Sequence, residues 1–448
     1  MKSTLKPLKS ALAALIVSAI STQAMAAEKS LGLMDVYQLA LKNDATLAQA
    51  KLQLQADDSS LNALEGGLYP QVNASLSHSL TRSESSTDFN TTSAGVSVQQ
   101  SIYQHDLWSR IDQSKQALTL SQLQVALADQ SLILRTTEAY FKVLLAQENL
   151  KLLQAKQTAD QKQLETVLAS QEVGMASSVD VSQAQSTYDL SRADVISAQN
   201  ALDNAREELN RIVAQPLGAL NNLPTTVELT QTELDMDRLQ KQAEQSNLEV
   251  LIANASWTLA QQEVEVQKAG HYPSVSAQLS MNDSNYTVVS GNGAFNDGLQ
   301  STLSLQVSVP VYSGGSVENS IDAARFSAKK SAEALRDSRA NARLQARVQM
   351  RNLEQGDILI AALREAVKSS NTFLEAAEES YKVGLNDLLN VLSARASQVQ
   401  AKRNLVEALH NQLLNRLRLE STLGDLTVQD LRQVDAYLSE SIADSQAQ

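Results

Sequence analysis

The sequence predicts a mixed α and β protein, with four short strands mounted on very long helical hairpins and the whole arrangement written twice. Three observations carry this. First, the chain repeats itself: Gly67-Leu68-Tyr69-Pro70 returns as Gly270-His271-Tyr272-Pro273, Val173-Gly174-Met175 as Val383-Gly384-Leu385, and Leu217-Gly218 as Leu423-Gly424, at offsets of 203, 210 and 206 residues. Second, residues 105–172 contain neither Gly nor Pro, and their counterpart 316–382 contains only Gly356. Third, four segments of about ten residues alternate apolar and polar positions. A half-unit of this kind cannot bury its own apolar face, so the two copies must pack together.

At the N-terminus, residues 1–26 read as a secretory signal peptide, with Lys2, Lys6 and Lys9 at its basic start, an apolar run over 11–20, and small residues at Ala24-Met25-Ala26. That run is too short to span a bilayer as a helix. The first repeat is expected over 27–220: a helix, a strand hairpin at about 70–103 and a helical hairpin at about 105–213. A linker covers 221–235. The second repeat covers 236–424, with its strand hairpin at about 273–312 and its helical hairpin at about 316–423, and 425–448 form a C-terminal helix and acidic tail.

The strands are expected at 70–80, 94–103, 273–281 and 300–312. Apolar residues alternate as Val72, Ala74, Leu76; Val96, Val98; Val275, Ala277, Leu279; and Leu303, Leu305, Val307, Val309. Such alternation marks a strand with two unlike faces. It fits a half-buried soluble sheet as well as a membrane barrel. Tyr69 and Tyr272 precede the first strand of each pair, and Tyr103 and Tyr312 close the second. All four are thereby expected at one edge, like an interfacial aromatic girdle. The polar stretches 81–93 and 282–297 are expected as exposed tips. Four strands cannot close a membrane barrel, and an open edge in lipid is costly. A barrel reading therefore requires several chains to share it, and three would supply twelve strands.

The long helices carry a seven-residue apolar spacing, Ile111, Leu118, Val125, Leu132, Ala139, Ala146, Leu153 in one and Leu353, Ile360, Val367, Leu374, Tyr381 in the other, as coiled-coil partners do. Each stops at a glycine, Gly174 or Gly384, which admits the left-handed cap that ends a helix. A second helix comes after each glycine, so each copy holds an antiparallel hairpin.

Composition narrows the function classes. The chain has no cysteine, which removes disulfides, thiol nucleophiles and cysteine metal sites. Its formal net charge is −13, and loss of three lysines and no acid with the signal peptide takes it to −16, which disfavours a nucleic-acid partner. His78, His105, His271 and His410 share no spacing, and Gly314-Gly315 lies at a strand-to-helix switch without a phosphate-binding lysine. No catalytic, cofactor or metal site is expected.

The marks Val173-Gly174-Met175 through Asp180-Val181, Val383-Gly384-Leu385 through Val391-Leu392, Val311-Tyr312-Ser313-Gly314-Gly315 and Ser421-Thr422-Leu423-Gly424 resemble the TolC family of outer-membrane channel-tunnel proteins. The likeness runs from Leu33 to Tyr437. It implies a homotrimer in outer-membrane lipid, with a shared twelve-stranded barrel continuous with an α-helical tunnel reaching into the periplasm. It implies an exit duct for drugs or secreted proteins, served by an inner-membrane transporter and a periplasmic adaptor that docks around the turns Val173, Gly174, Met175 and Val383, Gly384, Leu385. The family closes its periplasmic end with polar links, one of which joins the positions of Asp180 and Tyr381. A third link uses an arginine where this chain has Asn386. Two aspartates that form acidic rings at the family's constriction correspond here to Asn390 and Ser393. A stand-alone porin and a periplasmic coiled-coil scaffold are the alternatives.

Overall fold

The computed structural model describes residues 30–82, 87–229, 235–291 and 297–445. The expected signal peptide, residues 292–296 of the second expected tip and the extreme C-terminus lie outside them. Two short helices open the chain, α1 (Leu33–Asn43) and α2 (Ala45–Gly66), then strands β1 (Gln71–Thr81) and β2 (Asp88–Gln104). The long hairpin α3 (His105–Glu172) and α4 (Ser178–Val213) completes the first copy. The second repeats the order with α5 (Met236–Ser246), α6 (Leu248–Lys268), β3 (Ser274–Ser290), β4 (Gly298–Ser308), α7 (Ser316–Lys382) and α8 (Leu388–Leu423). Helix α9 (Val428–Ser445) comes last. At 68 and 67 residues, α3 and α7 are each about 100 Å long. Among the described residues, no helix is long and apolar enough to cross a membrane.

The strands form one antiparallel sheet in the order β1-β2-β3-β4, so β1 and β4 are open edges. Its register sorts the side chains into rows. Val72, Val98, Leu279 and Leu303 lie abreast across all four strands, while the neighbouring row is Asn73, Ser97, Ser280 and Thr302. Adjacent rows point to opposite faces, so one face is apolar and the other polar. Neither face is covered: Leu76 is 79 % exposed and Leu303 78 %.

Two strand boundaries depart from expectation. The central pair β2–β3 is longer, 17 residues each against 11 for β1 and β4, and much of the expected tips is paired strand, from Asp88 opposite Ser290 onward. Their Ser, Thr and Asn residues resemble loop composition, but cross-strand pairing sustains a polar ribbon, and the Ser93 and Ser284 hydroxyls bond across it at 3.1 Å. Conversely, β4 ends at Ser308 rather than 312, because Pro310 has no N–H to give the ladder.

The core sits midway along the helices. Leu132, Tyr140, Phe141 and Leu144 of α3 pack with Leu202 and Leu209 of α4, Leu409, Leu413 and Leu417 of α8, and Leu431 and Leu438 of α9. The Tyr140 hydroxyl reaches the carbonyls of Leu31 (3.1 Å) and Asn221 (2.9 Å), tying the N-terminal segment to the connection between the copies. The expected heptad face is the packed one: Ile111, Leu132 and Ala139 are buried, and the series continues through Asp160 to the fully buried Val167.

Candidate functional site: the helical tip

The two hairpin turns have the same backbone. Gly174 (φ +77°) and Gly384 (φ +75°) take the left-handed conformation. The next amide, of Met175 or Leu385, donates back to the carbonyl of Ser170 (2.8 Å) or Ser380 (2.9 Å), which satisfies carbonyls the helix end leaves free. Each turn displays an apolar pair to solvent: Val173 and Met175 are 70 % and 84 % exposed, and Val383 and Leu385 are 67 % and 84 %.

The caps that restart the chain are not identical. Ser177 caps α4 and Asp180 completes a capping box, its Oδ2 accepting from the Ser177 amide (2.9 Å) and hydroxyl (2.7 Å). These bonds hold the Asp180 carboxyl below its usual range. In the second copy the carboxylate moves to the cap itself: Asp387 Oδ1 accepts from the Asn390 amide at 2.9 Å. Asn390 in turn donates from Nδ2 to Asn386 Oδ1 at 2.5 Å. Asn390 and Ser393 are exposed one turn apart on α8.

Asp180 and Tyr381 are brought together across the two copies, within electrostatic reach rather than in direct hydrogen-bond contact. Burial, reinforced by the charge of Asp180, pushes the Tyr381 phenol up. The ring packs into a cluster with Leu164, Val167 and Ala184 of the first hairpin and Leu388 and Leu392 of the second, and into a smaller one with Ala377, Val391 and Ala394. The tip is therefore glued by apolar contacts between the copies.

Of the four girdle tyrosines, Tyr69, Tyr272 and Tyr312 are 68 %, 47 % and 89 % exposed at the sheet-to-helix boundary. Two neighbours that the sequence pattern did not single out join them: Trp108 stacks edge-on against Tyr103 at 5.1 Å, and His105 lies 4.1 Å from Tyr272. No group of three or more possible metal-ligating side chains occurs among the described residues.

A sheet with one apolar and one polar face, open at both edges and standing on paired helices about 100 Å long, is one segment of the wall of a membrane channel with a helical extension. The chain belongs to the outer membrane efflux protein family, whose model matches residues 36–215 and 239–425, one block for each copy. It is 29 % identical to the outer membrane protein TolC of Vibrio cholerae over 91 % of this chain and 93 % of that protein. It is 26 % identical to the proteases secretion protein PrtF of Dickeya chrysanthemi, over 95 % of each chain. In fold it matches the Campylobacter jejuni CmeC outer membrane channel, with a TM-score of 0.77 at 15 % identity over 91 % of this chain and 89 % of that one. The protein is an outer-membrane exit duct that extends into the periplasm, in a family of channels.

Proposed function

We propose that three copies assemble into one duct, with β1 of each pairing to β4 of the next to close a twelve-stranded barrel. The open edges carry this reading. Unpaired edge groups cost several kcal/mol each in lipid, and a neighbour's edge is the partner that removes the cost for every copy at once. The apolar rows then face lipid, the polar rows line the lumen, and Tyr69, Tyr103, Tyr272 and Tyr312 anchor the near interface. Lengths of 11 residues in β1 and β4 suit a tilted membrane strand.

The helical hairpins form the periplasmic tunnel, and their tip is its gate. A periplasmic adaptor, bound to an inner-membrane transporter, docks on the exposed Val173, Met175, Val383 and Leu385 and draws the hairpins apart. Asp180 and Tyr381 form part of the latch, Asn386 supplies an amide in it, and Asn390 and Ser393 line the constriction. Membership of the outer membrane efflux protein family and similarity to a proteases secretion protein support export of small molecules, of polypeptides, or of both.

The cysteine-free chain makes assembly testable. Paired cysteines, one in β1 and one at a facing position of β4 in the same chain, should yield chains joined through β1–β4 disulfides, in a heat-resistant oligomer of three from outer-membrane fractions. A monomer in detergent, absent from those fractions, would end the proposal.

A further inference from the structure

Heptad positions of a long helix are ordinarily apolar, yet the face of α3 that runs through Ala146 and Leu153 places Asp160 next, at 2 % exposure. Asp160 is one turn from Leu164, a member of the apolar tip cluster that joins the copies. It is not alone. Lys156 of the same helix reaches its Oδ2 at 2.9 Å, and Arg395 of α8 reaches its Oδ1 at 3.4 Å. The other guanidinium nitrogen of Arg395 lies 2.7 Å from Glu378 of α7. Two cations and two carboxylates thus balance, with the side chains of Lys156 and Arg395 only 15 % and 11 % exposed and Glu378 half-buried. Arg395 is the joint: it holds one carboxylate from each copy.

Asp160 lies fourteen residues before Gly174 and Arg395 eleven after Gly384. At about 1.5 Å per residue, the pair stands roughly 15–20 Å above the turns. Separating the first hairpin from the second there must part Asp160 from Arg395.

We propose that Asp160, Lys156, Arg395 and Glu378 form a charge clamp that sets the register of the two hairpins while the tip is shut and is released into water when it opens. The proposal rests on the gated-duct reading above. Apolar contacts and buried charges respond differently to being pulled apart. Parted apolar surfaces remain unfavourable in water, whereas parted charges recover the hydration they gave up on burial. An open groove lined by Leu153, Lys156, Ala198, Val399 and Arg403 adjoins the clamp, so water has a short path in. A buried ion network therefore specifies the closed arrangement at little cost to the open one, as a single polar residue fixes register in a coiled coil.

The readout is the fraction of time spent conducting, for protein reconstituted in planar bilayers. Asp160→Asn leaves two buried cations facing one half-exposed carboxylate and should raise that fraction about tenfold. Glu378→Gln, on the more exposed arm, should raise it less and still fold. Reversing all four signs together (Lys156→Glu, Asp160→Arg, Arg395→Asp, Glu378→Lys), which keeps each pair opposite in charge, should return it toward the unmodified value. Replacing the inner three by apolar residues (Lys156→Met, Asp160→Leu, Arg395→Met) should lower it below that value, because opening then exposes apolar surface. A site that only supports packing would move every variant the same way, and that result, or no change with Asp160→Asn and Glu378→Gln, overturns the clamp. If Tyr381→Phe opens the channel while the clamp variants do not, the clamp fails and the gated duct stands. If the unmodified protein forms no channel, both fail.

Discussion

At the scale of single residues, the two copies solve one problem in two ways. Helix α8 ends on Gly424 at φ +81°, with the Gly424 and Asp425 amides returning to Ser421 (3.1 Å) and Glu420 (3.0 Å). Its structural counterpart, 210 residues earlier, is Ala214 at φ +56°, not the Gly218 that sequence comparison pairs with it. There the free helix end is satisfied by side chains: Asn43 donates to the Val213 carbonyl at 2.8 Å, and Asn210 accepts from the Leu217 amide at 3.1 Å. An alanine held left-handed is strained, so Ala214→Gly should stabilise the protein by about 0.5–1 kcal/mol. A Cβ on Gly424 would fall 2.1 Å from the Ser246 carbonyl oxygen, which is backbone and cannot swing aside. Gly424→Ala should therefore cost about 3 kcal/mol or more. Thermal unfolding of the helical signal in detergent measures both, and a lowered midpoint for Ala214→Gly would refute the first.

At the scale of elements, the sheet makes the sharpest demand. Leu303 and Thr302 are neighbours in β4 but belong to opposite faces. If the apolar rows meet lipid, Leu303→Arg should cost about 2–4 kcal/mol and depress the yield of assembled protein, while Thr302→Arg, on the polar face, should assemble normally and alter conductance. Equal yields for the two would contradict the facing. Much of this level is legible in the sequence. Scarcity of Gly and Pro and the glycine stops mark α3, α7 and α8, even though Gly356 lies inside α7. The alternation locates the strands but misplaces their ends, because β2–β3 pairing sustains residues whose types read as loop, and because one proline ends β4 before its apolar pattern runs out. At the tip, the turns are visible as paired motifs, whereas the Asp180–Tyr381 juxtaposition is implied by the family resemblance and not by the pattern of the chain. The charge clamp is not: Asp160 and Arg395 lie 235 residues apart, and only packing brings them to 3.4 Å. The signal available is a carboxylate standing in an otherwise apolar heptad series.

At the scale of the whole molecule, the proposed placement of Asn390 and Ser393 at the constriction gives the periplasmic mouth amides and hydroxyls there in place of carboxylates. Carboxylate rings concentrate cations, whereas amides and hydroxyls do not. The nearby Asp387 carboxylate caps α8 through the Asn390 amide, which fixes its place at the helix start, outside the Asn390 and Ser393 positions. Multivalent cations added on the periplasmic side should consequently block single-channel current only weakly, and Asn390→Asp with Ser393→Asp should introduce strong block. Strong block of the unmodified channel would remove this account of the mouth. The bare borders of the sheet have a further consequence, which concerns order of events in the cell. On the assembly proposed above, a newly exported chain can complete its helical half unaided, since that half buries its own core, but the outer edges of its sheet have nothing to zip onto until sister chains arrive. Maturation is then at least second-order in chain concentration, and the interval before encounter is when the polypeptide is most exposed to proteases and to sticking.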